Sequence, residues 1–157
     1  MINTKRRTFL KGTMAAGAVS AAIGAGLLTP RMVLAAWPSA AFNADSVDAV
    51  LNELVGSTQT EESDQIDIRA PDIAENGAVV PVTVTTDIAN PESINIIARQ
   101  NATPMVASFV LGSGTEGFVS TRIKLGKTSD VVAVVKANGK LYSTSKEVKV
   151  TIGGCGG

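Results

Sequence analysis

The sequence predicts an all-β fold, an immunoglobulin-like antiparallel β-sandwich of about seven strands with one N-terminal helix. From residue 65 onward, apolar and polar residues alternate with a period of two, which is typical of strands with one buried face. Turn signals such as Asn-Gly and Asn-Pro separate these segments, and no helical pattern lies between them. Aromatic residues make up only 4% of the chain while Val and Ile are abundant, which fits the core of such a sandwich.

The predicted strands differ in what their patterns imply about position. The segment DVVAVVKA is apolar on both faces, as in a central strand, and the Asn138-Gly139 pair that follows predicts a hairpin. Pro81 lies inside another segment and predicts an edge position or a bulge there. The Cys…Trp…Cys pattern of antibody domains is absent. The seven predicted strands are QIDIRA, AVVPVTVTTD, SINIIARQ, PMVASFVL, FVSTRIKL, DVVAVVKA and KLYSTSKEVKVTI.

One helix is predicted before the strands, over residues 44–55. Apolar residues recur there at helical spacing, so the helix has one apolar face. Asn43 or Asp45 is expected to cap its first turn, and Gly56 is expected to end it. We expect this face to pack on the helix's own domain rather than on a partner. The apolar positions are Val47, Val50, Leu51 and Leu54.

The N-terminal residues 1–35 have the layout of an export signal. Arg6 and Arg7 stand side by side before a weakly apolar Ala- and Gly-rich stretch, and a small-residue site ends at Ala35. This pattern predicts a cleavable twin-arginine (Tat) signal and a periplasmic protein without a membrane anchor after cleavage. The alternative is a transmembrane anchor, but the stretch is poorly hydrophobic and barely reaches the ~20 residues of a span. The expected domain then covers residues 36–152.

Charge narrows the classes of partner. Residues 36–157 have 9 basic and 14 acidic side chains, a net charge of 9 − 14 = −5. This balance argues against nucleic acid or anionic lipid as the partner.

The Tat route carries folded proteins, and because the sequence offers no cofactor site, a bound partner subunit is the simpler reason for its use.

The last five residues, 153–157, form the sequence Gly-Gly-Cys-Gly-Gly, and Cys155 is the only cysteine in the chain. Glycine has the widest backbone freedom, so this segment predicts a flexible arm beyond the last strand. At about 3.5 Å per residue, the arm can hold the thiol roughly 10 Å from the domain. The glycines of this C-terminal arm are Gly153, Gly154, Gly156 and Gly157.

The surroundings of Cys155 favour a covalent handle over other uses of a thiol. The chain has no His, and the glycine flanks offer no base or cation to activate a catalytic thiolate. A single cysteine without His supplies too few ligands for a metal, so neither a metal nor a cofactor is expected. Two alternatives stay open: a structural envelope protein cross-linked through its tail cysteine, and an enzyme with an unrecognised pocket.

Several segments resemble the SoxY family, the sulfur-carrier subunits of the periplasmic thiosulfate-oxidising (Sox) system. The resemblance covers nearly all of the chain after residue 35, and the strand followed by GGCGG at the C-terminus is its most specific part. One departure is Asn101-Ala102, where the family often has Asn-Pro. The segments that carry the resemblance are APDIAENGAVVPV, STRIKL and SDVVAVVKANGKLYSTSKEVKVTIGGCGG.

The resemblance implies a function and a set of partners. It implies that Cys155 carries sulfur intermediates, first an S-thiosulfonate and then a persulfide, and that the chain is not itself an enzyme. A haem enzyme would join thiosulfate to the thiol, a hydrolase would release sulfate, and a sulfur dehydrogenase would oxidise the remaining sulfur. The resemblance also implies a heterodimer with a SoxZ-like subunit.

Overall fold

In the computed structural model, the described part of the chain is residues 38–151. The predicted signal with Arg6 and Arg7, and the predicted arm with Cys155, lie outside it. The helices are α1 (Ser39–Asn43) and α2 (Val47–Val55). The strands are β1 (Glu61–Glu62), β2 (Ile66–Arg69), β3 (Ile73–Ala74), β4 (Val80–Thr86), β5 (Pro91–Ala98), β6 (Met105–Val110), β7 (Phe118–Ile123), β8 (Ser129–Ala137) and β9 (Lys140–Val150).

The strands form two sheets. The larger has the order β1-β9-β8-β5-β6, with β3 also paired to β9, and the smaller has the order β2-β4-β7. The seven longer strands pair antiparallel and coincide with the seven predicted segments, which confirms the predicted sandwich. The two-residue strands β1 and β3 were not predicted, and both pair parallel with β9. Two residues are too few to show an alternating pattern.

The main core lies between the two sheets and follows from the period-two pattern. Residues at alternate positions of β4, including Val80, Val82 and Val84, are buried against inward-facing residues of β5 and β8. A second apolar cluster covers the other, outer face of the larger sheet, where α2 packs. Strand β8 contributes to both clusters and lies between β9 and β5, which confirms its predicted central position.

The single predicted helix over residues 44–55 is wrong in its start, because the structure has two helices in this region. Ser46 is extended, with φ −139° and ψ 154°, and its side-chain oxygen accepts a hydrogen bond from the Ala49 backbone N–H at 3.3 Å. This cap fixes the start of α2 at Val47, so neither Asn43 nor Asp45 is the cap. Gly56 ends α2 with a positive φ of 70°, as predicted. Val50 and Leu51 face the larger sheet, which confirms packing on the helix's own domain.

The turns follow the predicted residues. Asn138 and Gly139 have φ values of 52° and 73° and connect β8 to β9 in a two-residue hairpin. Pro81 lies in β4, the middle strand of the smaller sheet, but β2 pairs with β4 only from Thr83 onward. At Pro81 the strand therefore has a neighbour only on the β7 side, which is a local edge position.

Candidate functional site

The C-terminal end of β9 is the point from which the arm continues, and neighbouring strands hold it on both sides. Pairing with β8 extends to Val148 opposite Ser129. On the other side, β3 pairs with Lys149 and Val150. The Thr151 backbone N–H then donates a hydrogen bond to the Ala74 carbonyl oxygen at 3.1 Å. The position of the chain is thus fixed up to Thr151, the last described residue.

Three loops surround this end of β9: residues 75–79, 99–104 and 124–128. We call them together the exit end. The Val150 backbone N–H donates to the Thr128 hydroxyl oxygen at 3.0 Å, and the Leu125 N–H donates to the Gly77 carbonyl oxygen at 2.7 Å. Asn101 joins the third loop, because its side chain donates to the Lys124 carbonyl oxygen at 2.8 Å and accepts from the Gly126 N–H at 3.0 Å. The loops therefore form one hydrogen-bonded frame.

The predicted site residues have a defined point of attachment on this frame. Cys155 follows Thr151 by four residues, and all of the arm glycines also follow Thr151. Covalent geometry limits the Thr151–Cys155 distance to about 14 Å. The thiol therefore lies within a short radius of the exit end.

The frame includes residues that the sequence did not predict to be part of a site: Gly77, Asn101, Thr128, Lys124 and Lys127. Both lysines are exposed, and neither forms an ion pair with any residue between 38 and 151. No local signal marked these residues as neighbours, because their contacts join loops that are far apart in sequence.

The opposite ends of β8 and β9 carry lysines that are paired. Lys136 contacts Glu92 at 3.0 Å, and Lys140 contacts Glu61 at 2.9 Å. The hydrogen bond from Lys136 lowers the pKa of the Glu92 carboxyl, and the hydrogen bond to Glu61 raises the pKa of the Lys140 ammonium. The two ends of these strands therefore differ. Lysines at the hairpin end are paired with acids, whereas Lys124 and Lys127 at the exit end have no acidic partner within residues 38–151.

We expect Gly77→Ala to lower the free energy of unfolding by about 1–3 kcal/mol through overpacking. A Cβ at Gly77 would overlap the Leu125 carbonyl oxygen and lie 2.8 Å from Val150 Cγ1. Gly126→Ala is the matched control, because its Cβ would meet nothing nearer than the Asn101 side-chain oxygen at 3.7 Å. Urea unfolding of both variants measures the difference. Equal midpoints would show that the contact between these loops is not tight.

The described part of the chain contains several open grooves and no recognisable catalytic cluster. One groove, of about 620 Å³, lies beside Thr60 and the β8–β9 hairpin, on the side away from the exit end. Within residues 38–151, no group of three or more Cys, His, Asp or Glu side chains could hold a metal ion. Of the helices in this range, none has the length and apolar character needed to span a membrane.

Comparison with solved structures shows what this fold is similar to. The sulfur carrier protein SoxY from Chlorobium limicola f thiosulfatophilum is 47% identical, with a TM-score of 0.63, over 68% of this chain and 97% of that chain. A superoxide reductase (neelaredoxin) from Ignicoccus hospitalis matches over 55% of this chain and 80% of that chain, with 21% identity and a TM-score of 0.49. That likeness is too low to carry an argument.

Comparison with protein families gives a match over most of the domain. No curated protein matches the chain. The family model of the sulfur oxidation protein SoxY matches residues 51–155, a span that includes the second half of α2, all nine strands and Cys155. This match covers more than half of the chain, and the Chlorobium protein agrees with it over nearly its whole length. The chain belongs to the SoxY family of sulfur carrier proteins.

Proposed function

We propose that Cys155 covalently carries the sulfur intermediates of thiosulfate oxidation and that the arm presents them to the other Sox proteins. The observation that carries this proposal is the extent of the family match, which runs to Cys155. The thiol is therefore inside the segment that the chain shares with sulfur carriers. It is also the only thiol in the sequence that could carry anything.

The structure supports a carrier in which a hydrogen-bonded domain holds the base of a short tail and the tail carries the thiol. The chain is held by backbone hydrogen bonds up to Thr151, and the tail beyond it is mostly glycine. A tail without side chains around its thiol can enter a channel as wide as a bare backbone. Because no side chain next to the thiol has to fit a particular channel, the same arm can enter the active sites of several enzymes.

Thiol chemistry supports the proposed intermediates. A thiolate forms reversible bonds to sulfane sulfur, and an exposed thiol is readily oxidised. The carrier then needs no cofactor of its own, since the oxidation and hydrolysis occur in partner enzymes. In this proposal the chain is a non-catalytic subunit, and Cys155 is the attachment point for substrate.

The proposed setting is the periplasm. Residues 1–35, with Arg6 and Arg7, direct Tat export, and the domain crosses the membrane already bound to a SoxZ-like subunit. The proposed further partners are a haem enzyme that conjugates thiosulfate, a hydrolase that releases sulfate and a sulfur dehydrogenase.

Intact-mass spectrometry tests the function directly. The protein is isolated without reductant from cells that oxidise thiosulfate, and its mass is measured before and after a reductant is added. We expect reducible additions of one sulfur atom or one thiosulfonate group, and fragmentation should place them on the peptide that contains Cys155. The same cells grown without a reduced sulfur compound are the control.

Two outcomes would contradict the carrier function. A bare thiol under all growth conditions would show that Cys155 carries no sulfur. A fixed disulfide to one envelope protein would favour the structural alternative instead.

A further inference from the structure

Loop 124–128 places two exposed lysines beside the base of the arm. We propose that this loop binds the anionic end of the loaded arm, so that the thiosulfonate on Cys155 docks against Lys124 and Lys127 between visits to enzymes. The identity of the cargo rests on the proposed function, but the site itself rests on the loop. Its occupant is residues 152–157 of the same chain.

The loop has a fixed shape, as a binding site requires. Asn101 holds Lys124 and Gly126, and Gly77 holds Leu125, through the hydrogen bonds described above. The backbone N–H groups of Lys127 and Thr128 donate to no acceptor within residues 38–151. Two such N–H groups and two exposed lysines within five consecutive residues suit an anion such as a sulfonate.

Charges around the exit end leave these lysines available. Asp130 is hydrogen-bonded to the Gln100 side chain at 3.5 Å, and Glu147 lies 3.9 Å from Lys149. On the β3 side, Lys146 pairs with Asp72 at 3.0 Å, which leaves Glu75 as the exposed acid there. The remaining cation of the loops, Arg99, lines a groove on the outer face of the larger sheet. Lys124 and Lys127 therefore match in number the two acids without a cationic partner here, Glu75 and Asp130, and are paired with neither.

The length of the tail identifies the occupant. The Thr128 hydroxyl is bonded to the backbone of Val150, one residue before the last described residue. Cys155 can lie no more than about 14 Å from Thr151, so the loop is among the first surfaces that the thiol can reach. The sulfonate gives the loaded tail a negative charge that complements the two lysines.

The test loads the arm chemically, so that it does not depend on any Sox enzyme. Tetrathionate reacts with the thiolate of Cys155, whose sulfur attacks an inner sulfur of the reagent. The products are the protein S-thiosulfonate and free thiosulfate (RS⁻ + S₄O₆²⁻ → RS–S–SO₃⁻ + S₂O₃²⁻). The sulfur–sulfur bond of tetrathionate breaks as the new one forms, and no other oxidant is needed. Iodoacetamide caps the same thiol with a neutral group and is the matched control.

Amide NMR spectra of the protein without residues 1–35 report docking. At low salt, we expect the amide signals of Lys127 and Thr128 to shift on thiosulfonate loading and to shift little on the neutral cap. In Lys124→Gln/Lys127→Gln the shift should fall, because two lysines about 10 Å from a single charge in water change the docked-to-free ratio roughly fourfold. Lys136→Gln/Lys140→Gln changes the net charge equally at the hairpin end and should keep the shift.

The NMR results test docking at loop 124–128 independently of the proposed carrier function. Raising the salt from about 0.01 M to 0.3 M should weaken the shift, since the Debye length falls from about 30 Å to below 10 Å. Equal shifts for both caps, unchanged shifts in Lys124→Gln/Lys127→Gln, or shifts elsewhere in the domain would each overturn docking at this loop. None of these results depends on whether cells load sulfur on Cys155, which the mass measurement decides.

Discussion

Replacing Cys155 with serine is expected to abolish thiosulfate oxidation by the reconstituted Sox proteins. A serine oxygen cannot form the sulfur–sulfur bond that the carrier needs, and no second cysteine is present to replace the thiol. Folding should be unaffected, because the strand is held up to Thr151 and the substitution lies four residues beyond. We expect turnover at the background level and a change in the free energy of unfolding within about 0.5 kcal/mol.

Moving the thiol separates the role of sulfur from the role of the arm. Thr151→Cys in the Cys155→Ser background places a thiol at the end of β9, on an exposed residue without the glycine tail before it. It should react with a small thiol reagent yet support no turnover, since it cannot reach a buried active site. Turnover by Cys155→Ser itself would refute the carrier function. Turnover by the relocated thiol would refute the need for the arm.

The sequence predicted the strands well because each one carries its own evidence. One buried face imposes alternation along six or more residues, as in β4 and β7, and burial on both faces gives β8 its continuous apolar run. The Asn138-Gly139 turn is equally local, since both residues adopt a positive φ that few other residue types accept.

The errors have local causes too. Residues 43–46 include three good helix-capping side chains, Asn43, Asp45 and Ser46, and only the observed hydrogen bond to Ala49 decides among them. Strands β1 and β3 are set by pairing with β9, a contact that spans about half of the chain and leaves no pattern in two residues.

Of the candidate site, the sequence singled out Cys155 and missed the loops beside the end of β9. Cys155 stood out because glycines surround it and no other cysteine or histidine is present. Lys124 and Lys127 did not stand out, because exposed lysines are common on any surface. Their importance depends on the bonds from Asn101, Gly77 and Thr128 that place their loop beside the end of β9.

Ile96→Ala is expected to give the largest loss of stability of any substitution considered for the domain. Ile96 is fully buried in β5, and its cross-strand partners are Ala107 in β6 and Ala133 in β8. The isoleucine side chain fills the space that two small neighbours leave, and neither alanine can fill the cavity after truncation. We therefore expect a loss of about 3–5 kcal/mol in the free energy of unfolding, in the upper part of the range for such substitutions.

Urea unfolding measures this loss, with Val110→Ala as the matched control. Val110 is 89% exposed near the end of β6, so its truncation should change the free energy of unfolding by no more than about 0.5 kcal/mol. A loss below about 1 kcal/mol for Ile96→Ala would mean that the two sheets close over the cavity. Because β8 lies between β5 and β9 in the sheet, the fraction of Ile96→Ala that remains folded should still load sulfur on Cys155 at the normal rate. A slower loading rate in the folded fraction would instead mean that the packing of β5 and β8 determines how β9 holds the arm.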